Sequence, residues 1–214
     1  MMVKKRSFLI MLVAFLIVGC AGINVKHDDI SIPAGKIEDN HFMGIRYPFQ
    51  VTAPSNWKMA TEFPDFMKEL GYDKPGPGDN EVTELYLFDP ETKSNMQIDF
   101  TPASHSEKFT QKYIEFLATV AMGSFQEEME KDYGKGIKFE VAPVEPYVLK
   151  GVQFAAKKYA TYTLEGVKRE QGWIYGFTEP YQIFILYMIL QKEGVNDRED
   201  MKRILDSFEV MPMK

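Results

Sequence analysis

Ile183-Phe184-Ile185-Leu186-Tyr187-Met188-Ile189-Leu190 is apolar at every position. Read as a strand, this run is apolar on both faces, which predicts a central strand covered on both sides. Upstream, Glu179-Pro180 turns the chain into a strand over 167–177. Glu165-Gly166 turns it again into one over 152–164. Residues 137–149 carry a further strand pattern, broken by Pro143 and Pro146. Downstream, Met201, Ile204, Leu205 and Phe208 share one face of a helix predicted over 197–208. Asn196 and Glu199 suit its start, and Asp197, Glu199 and Asp200 sit where the helix dipole favours negative charge.

The first half gives a compatible pattern. From Met43, a period of two puts Ile45, Tyr47, Phe49 and Val51 on one strand face, with Pro48 marking an edge or an irregularity. Pro54-Ser55-Asn56 turns into Trp57, and 63–70 reads as a short helix ending near Gly71. The run Lys74-Pro75-Gly76-Pro77-Gly78-Asp79 predicts a loop over 73–81. A hairpin follows, with strands over 82–88 and 96–101, turning through Asp89-Pro90 and Ser94-Asn95. Ser104 and Glu107 form a capping-box signature for a long helix to about residue 131. Phe109, Tyr113, Phe116, Leu117 and Val120 would be its apolar stripe. The order predicts an α+β fold, a largely antiparallel sheet covered by helices on both faces, an α/β/α sandwich.

The amino terminus reads differently. Lys4, Lys5 and Arg6 precede an apolar run from Phe8 to Val18, and Ile17-Val18-Gly19-Cys20 closes it with the single cysteine of the chain. Eleven apolar residues fall short of the roughly 20 that span a bilayer, so the segment predicts a cleaved secretory leader. The tetrapeptide resembles the bacterial lipobox. That resemblance implies cleavage before Cys20, a diacylglycerol on its sulfur and an acylated new amino terminus. The organisation expected is a lipoprotein signal peptide over 1–19, a lipidated flexible tether over 20–41 and one domain over 42–214. Ala21, where retained lipoproteins of double-membraned bacteria tend to carry aspartate, implies the outer membrane, facing the periplasm. An ordinary signal peptide that happens to contain a cysteine is the plainer alternative.

Composition narrows the classes. The formal charge is −6 at pH 7, and removal of the basic leader makes the remainder more acidic. An acidic surface without a basic, aromatic-interleaved patch argues against nucleic-acid binding. With Cys20 carrying lipid, no disulfide forms within one chain, so a core must hold the fold.

Ile45-Arg46-Tyr47-Pro48-Phe49 with Pro54-Ser55-Asn56-Trp57, and the ending Met201-Lys202-Arg203-Ile204-Leu205-Asp206-Ser207-Phe208, resemble PsbP-like domains. That superfamily also holds Ran-binding and DcrB-type bacterial lipoprotein members. The resemblance covers roughly 42–210 in element order and implies an α/β/α sandwich in a mostly non-catalytic superfamily. It carries no functional residue onto this chain.

The chemistry-bearing residues are few. His27, His41 and His105 show no zinc spacing, and His27-Asp28-Asp29 reads as a solvated charge run. Glu127, Glu128, Glu130 and Asp132, with Lys131 and Lys135 nearby, read as a solvated helix face. No Gly-x-Ser-x-Gly turn is present, and Gly134-Lys135-Gly136 is too short for a phosphate loop. No catalytic residue, metal or cofactor is therefore expected. Trp173, Tyr175 and Phe177 share one strand face, as sheet core or as the lining of an apolar groove for lipid or peptide. The reading reached is a membrane-anchored, non-catalytic binding or scaffold module with an envelope protein partner. A carrier of a small apolar ligand and an envelope hydrolase using Asp89, Asp99 or Glu179 are the alternatives.

Overall fold

The structure, a computed structural model, describes residues 31–70, 74, 83–103, 108–191 and 196–212. The leader, Cys20, the predicted loop over 73–81 (Lys74 apart) and the Ser104–Glu107 signature lie outside them. So do His27 and His105.

The described residues form two antiparallel sheets. The smaller orders β1 (Gly35–Glu38), β2 (His41–Gly44), β3 (Phe49–Thr52) and the short β12 (Glu209–Val210) side by side. The larger runs β4 (Lys58–Ala60), β5 (Thr83–Phe88), β6 (Asn95–Pro102), β11 (Tyr181–Leu190), β10 (Val167–Thr178), β9 (Phe154–Leu164) and β7 (Phe139–Val141). The two-residue β8 (Glu145–Pro146) also pairs with β9. The apolar run at Ile183 is thus the middle strand, as its two-sided pattern requires. Its odd residues Ile183, Ile185, Tyr187 and Ile189 enter one core, and Leu186 enters the other. Glu165 and Gly166 join β9 to β10 with φ of 52° and 78°, the left-handed pair whose twist matches a two-residue hairpin.

Among the described residues three helices cover the large sheet: α1 (Asp65–Glu69), α2 (Gln111–Tyr133) and α3 (Asp197–Ser207). α3 and the small sheet close one face around Phe42, Phe49, Trp57, Ile98, Ile185 and Phe208. α2 closes the opposite face over Ala156, Tyr162, Trp173 and Tyr175. α1 seals a smaller patch through Met67 and Tyr86.

Several sequence expectations shift. The strand expected from Met43 splits into β2 and β3. Between them Gly44 lies so close that an added Cβ would sit 2.1 Å from the Tyr47 carbonyl, which only glycine allows. Ile45 turns outward, 49% exposed, while Tyr47, Phe49 and Val51 stay buried. Gly35–Glu38, assigned to the tether, pairs with β2 residue for residue. α2 starts later than the Ser104 signature, at Thr110, whose hydroxyl accepts from the Tyr113 N–H at 3.2 Å. Its buried face is Ile114, Ala118, Ala121, Met122, Phe125 and Met129; of the expected stripe, Phe109, Tyr113 and Leu117 pack in the same core, while Phe116 and Val120 point to solvent. α3 starts where expected, but the Asn196 side chain makes no cap bond.

Candidate functional site

The aromatic strand face lies directly under α2. Trp173 is 0% exposed and meets Phe125 edge-on at 5.2 Å between ring centres. Phe177 stacks on Phe109 at 4.1 Å, and Tyr175 lies 4.7 Å from Phe184. These three rings pack with neighbouring side chains, and reaching Trp173 requires α2 to lift. The Trp173 indole N–H is buried without an acceptor among the described residues.

The three candidate carboxylates occupy three separate places. Asp89 closes the β5–β6 turn, accepting from the Glu91 and Thr92 N–H groups at 2.8 and 3.2 Å and from Asn56 Nδ2 at 2.7 Å. Asn56 also donates to Asp200 on α3 at 3.1 Å. Beside it Leu190 N–H donates to Ser94 Oγ at 3.1 Å, and that hydroxyl donates to Asp197 at 2.5 Å. These bonds tie the start of α3 to the hairpin. Glu179 lies in the β10–β11 turn, at the far end of β6 from Asp89, roughly 20 Å away along the strand. Asp99, midway along β6, has a buried Oδ1 without a partner among the described residues. Burial pushes its carboxyl up to about 6, against a lowering hydrogen bond from Thr83. His41 bonds to Thr52 through Nδ1 at 3.0 Å. Among the described residues no group of three or more histidine, cysteine or acidic side chains is placed to hold a metal.

The most unusual polar grouping lies on the other face of the large sheet, beyond the start of α3. Residues Tyr159, Gly172 and Tyr187 are directly opposed on β9, β10 and β11. A Cβ at Gly172 would fall 2.2 Å from the Tyr187 ring, so glycine is what lets that ring lie across the sheet. The ring reaches toward Lys157, whose ammonium sits 5.5 Å from the ring centres of Tyr187 and Tyr159 and 5.6 Å from that of Tyr147. That is within cation–π range of three rings. Tyr187 donates its hydroxyl to Glu170 at 3.1 Å, and Arg198 donates to the other oxygen of the same carboxylate. Glu170 is therefore satisfied on both sides while Lys157 has ring contacts but no oxygen acceptor among the described residues. Burial holds the Lys157 ammonium below its ordinary range, with Glu170 and Glu145 opposing that shift and Arg198 adding to it. Burial, then Glu170, pushes the Tyr187 phenol well above its own.

Lys157 and Tyr159 are half-buried, and Tyr147 lies beside them. Tyr159 and Tyr187 are legible in the sequence as aromatics on strands neighbouring Trp173, whereas Tyr147, Lys157, Glu170 and Arg198 stand on separate segments that no local pattern joins. The one local signal was Gly172 inside a strand pattern, which marks a close approach.

Fold and site together define an antiparallel α+β sandwich carrying an ammonium among tyrosines. No protein-family model and no curated protein matches the chain. Solved structures do. The chain is similar to cyanobacterial PsbP (CyanoP) from Synechocystis, with 11% identity, a TM-score of 0.48, 91% of this chain and 99% of that one covered. It is also similar to LpqN, involved in cell envelope biogenesis of Mycobacterium tuberculosis, with 12% identity, a TM-score of 0.48, 77% of this chain and 83% of that one. A third likeness is to a protein of Bacteroides thetaiotaomicron, with 12% identity, a TM-score of 0.45, 82% of this chain and 50% of that one. None of these likenesses transfers a residue or a function.

Proposed function

We propose that this chain is a lipid-anchored module of a bacterial cell envelope that works by binding a partner protein rather than by catalysis. The observation that carries it is the leader: basic head, eleven apolar residues and Ile17-Val18-Gly19-Cys20 in register. A thioether-linked diacylglycerol at Cys20 would hold the domain at a membrane, since each buried CH₂ contributes about 0.8 kcal/mol. Outer-membrane placement follows from Ala21. Among the described residues no helix is long and apolar enough to cross a membrane.

The contact surface is the Lys157 group. A half-buried ammonium framed by Tyr147 and Tyr159, without an oxygen acceptor among the described residues, suits an acidic side chain or carboxyl terminus of a partner. Mass spectrometry of the protein from native membranes is expected to show an acylated terminus at Cys20; an unmodified terminus elsewhere refutes the anchor. Lys157→Ala and Tyr147→Ala are expected to lose a partner that the parent chain retains on pull-down from solubilised membranes. Equal retention refutes the surface.

A carrier role for the aromatic face draws on one observation, the buried Trp173 N–H without an acceptor among the described residues. It requires α2 to lift. Native mass spectrometry of the delipidated protein tests it by the presence of a bound small species.

A further inference from the structure

The outer line of α2 is built unlike an ordinary surface helix. Lys112, Phe116, Val120, Gly123 and Glu127 recur every three or four residues, so they stack along the side opposite Ile114, Ala118, Ala121 and Phe125. A solvated face should be polar there. Instead Phe116 is 59% exposed and Val120 44%. Gly123 stands in the interior of this 23-residue helix although a Cβ added to it meets nothing within 4 Å. Glycine weakens a helix interior, and nothing in the fold around Gly123 calls for it. Charge is also divided along this line. Lys112 stands near the start, whereas Glu127 and Glu130 are exposed toward the end, with Lys131 at the edge of the line.

We propose that this line is a contact between two copies of the chain, packed antiparallel about a two-fold axis midway between Thr119 and Val120. Setting Phe116 of one copy against Gly123 of the other fixes the register. The same register sets Lys112 against Glu127 and Thr119 against Val120, and symmetry repeats each contact. The aromatic ring fills the space that glycine leaves, and opposite charges meet at both ends of the patch. A parallel arrangement would instead oppose Glu127 to Glu127. One helix line is small against the roughly 800 Å² per partner of a standard interface, so the dimer is weak in dilute solution. The contact lies across the large sheet from the Lys157 surface.

The test uses the full chain with Cys20→Ser, so that each added thiol is alone. Mixed Lys112→Cys and Glu127→Cys chains are expected to form a disulfide-linked heterodimer under mild oxidation. Either variant by itself is expected to link little, because like positions lie roughly 22 Å apart along the paired helices. Self-linking of Lys112→Cys as strong as in the mixture overturns the antiparallel register. No linkage in the mixture at about 1 mM protein, the weak end of specific association, overturns the contact. Phe116→Asp and Gly123→Leu change exposed positions. Each is expected to keep the parent circular dichroism and to lower the association constant by about tenfold or more in sedimentation equilibrium. Undiminished association in either variant overturns the proposal.

Discussion

The two faces of the large sheet are closed by different means. On the α2 face, aromatic and small apolar side chains do the work: Trp173 against Phe125, Phe177 against Phe109, Ala156 and Ala160 beneath the helix. A directional bond at its edge is Gln111 Nε2 donating to the Ala155 carbonyl at 2.9 Å. On the α3 face the apolar core is larger, and it is fenced by buried polar pairs. Arg46 donates to Glu84 at 2.8 Å with 8% and 1% of the side chains exposed, and Asn56, Asp89, Ser94, Asp197 and Asp200 bind α3 to the hairpin. A single helix can settle onto a sheet by shape alone. A composite cover made of a small sheet, loops and a short helix needs bonds that specify which piece meets which.

Substitutions separate the two. Trp173→Ala removes the largest ring beneath α2 and is expected to cost about 4 kcal/mol of unfolding free energy, read from urea titration. A loss below about 1 kcal/mol would mean that α2 hardly rests on that ring. Glu84→Ala leaves the Arg46 guanidinium buried without its carboxylate and is expected to cost about 3 kcal/mol. The double change Arg46→Met with Glu84→Leu is expected to recover most of it, since the pair selects an arrangement more than it adds stability.

A pH series sharpens the contrast further. The folded Asp99 carboxyl titrates near 6, above its value of about 4 in the unfolded chain. The fold therefore favours the protonated form. Its stability is greatest below both values, falls as pH rises from about 4 to 6, and stays level above. Asp99→Asn is expected to gain on the order of 2 kcal/mol at pH 7 and nothing near pH 3, read as the gap between thermal midpoints across that range. An unchanging gap would place the charge in solvent. The smallest effect concerns Gly123→Ala, expected to add up to about 1 kcal/mol to the isolated domain, because no neighbour obstructs the methyl group. Destabilisation there would show that α2 needs its glycine for its own packing.

Much of this layout was readable from local sequence. Ile183 to Leu190 announced a middle strand, and Glu165-Gly166 announced a tight hairpin, because both signals act within a few residues. The face of α2 was misread for a physical reason. Phe116 and Val120 are larger and more apolar than Ala118 and Ala121, so hydrophobicity drew the expected stripe past Tyr113 and Leu117 onto the solvent side. The sheet beneath admits small residues, because Trp173 and Tyr162 already occupy the space between. The break between β2 and β3 was marked only by Pro48, since the close approach of Gly44 to Tyr47 depends on the finished turn. Tyr159 and Tyr187 were legible as aromatics on neighbouring strands, but their meeting around Lys157 with Tyr147 was not. β9, β11 and the segment at Tyr147 supply the ammonium and its rings, β10 supplies Glu170 and α3 supplies Arg198.

The pairing of β12, the last strand among the described residues, has a kinetic consequence. β12 pairs with β3, aligning Val210 with Phe49, and Phe208 lies 5.8 Å from that same Phe49 ring. The β9–β10–β11 meander, by contrast, joins neighbours through two short turns. Low loop-closure entropy lets the meander nucleate early, whereas the small sheet waits for residues more than a hundred and fifty positions apart to meet. Folding should accordingly begin in the middle of the large sheet and end at its outer cover, leaving Phe42 and Phe49 as the surfaces longest in need of protection during synthesis.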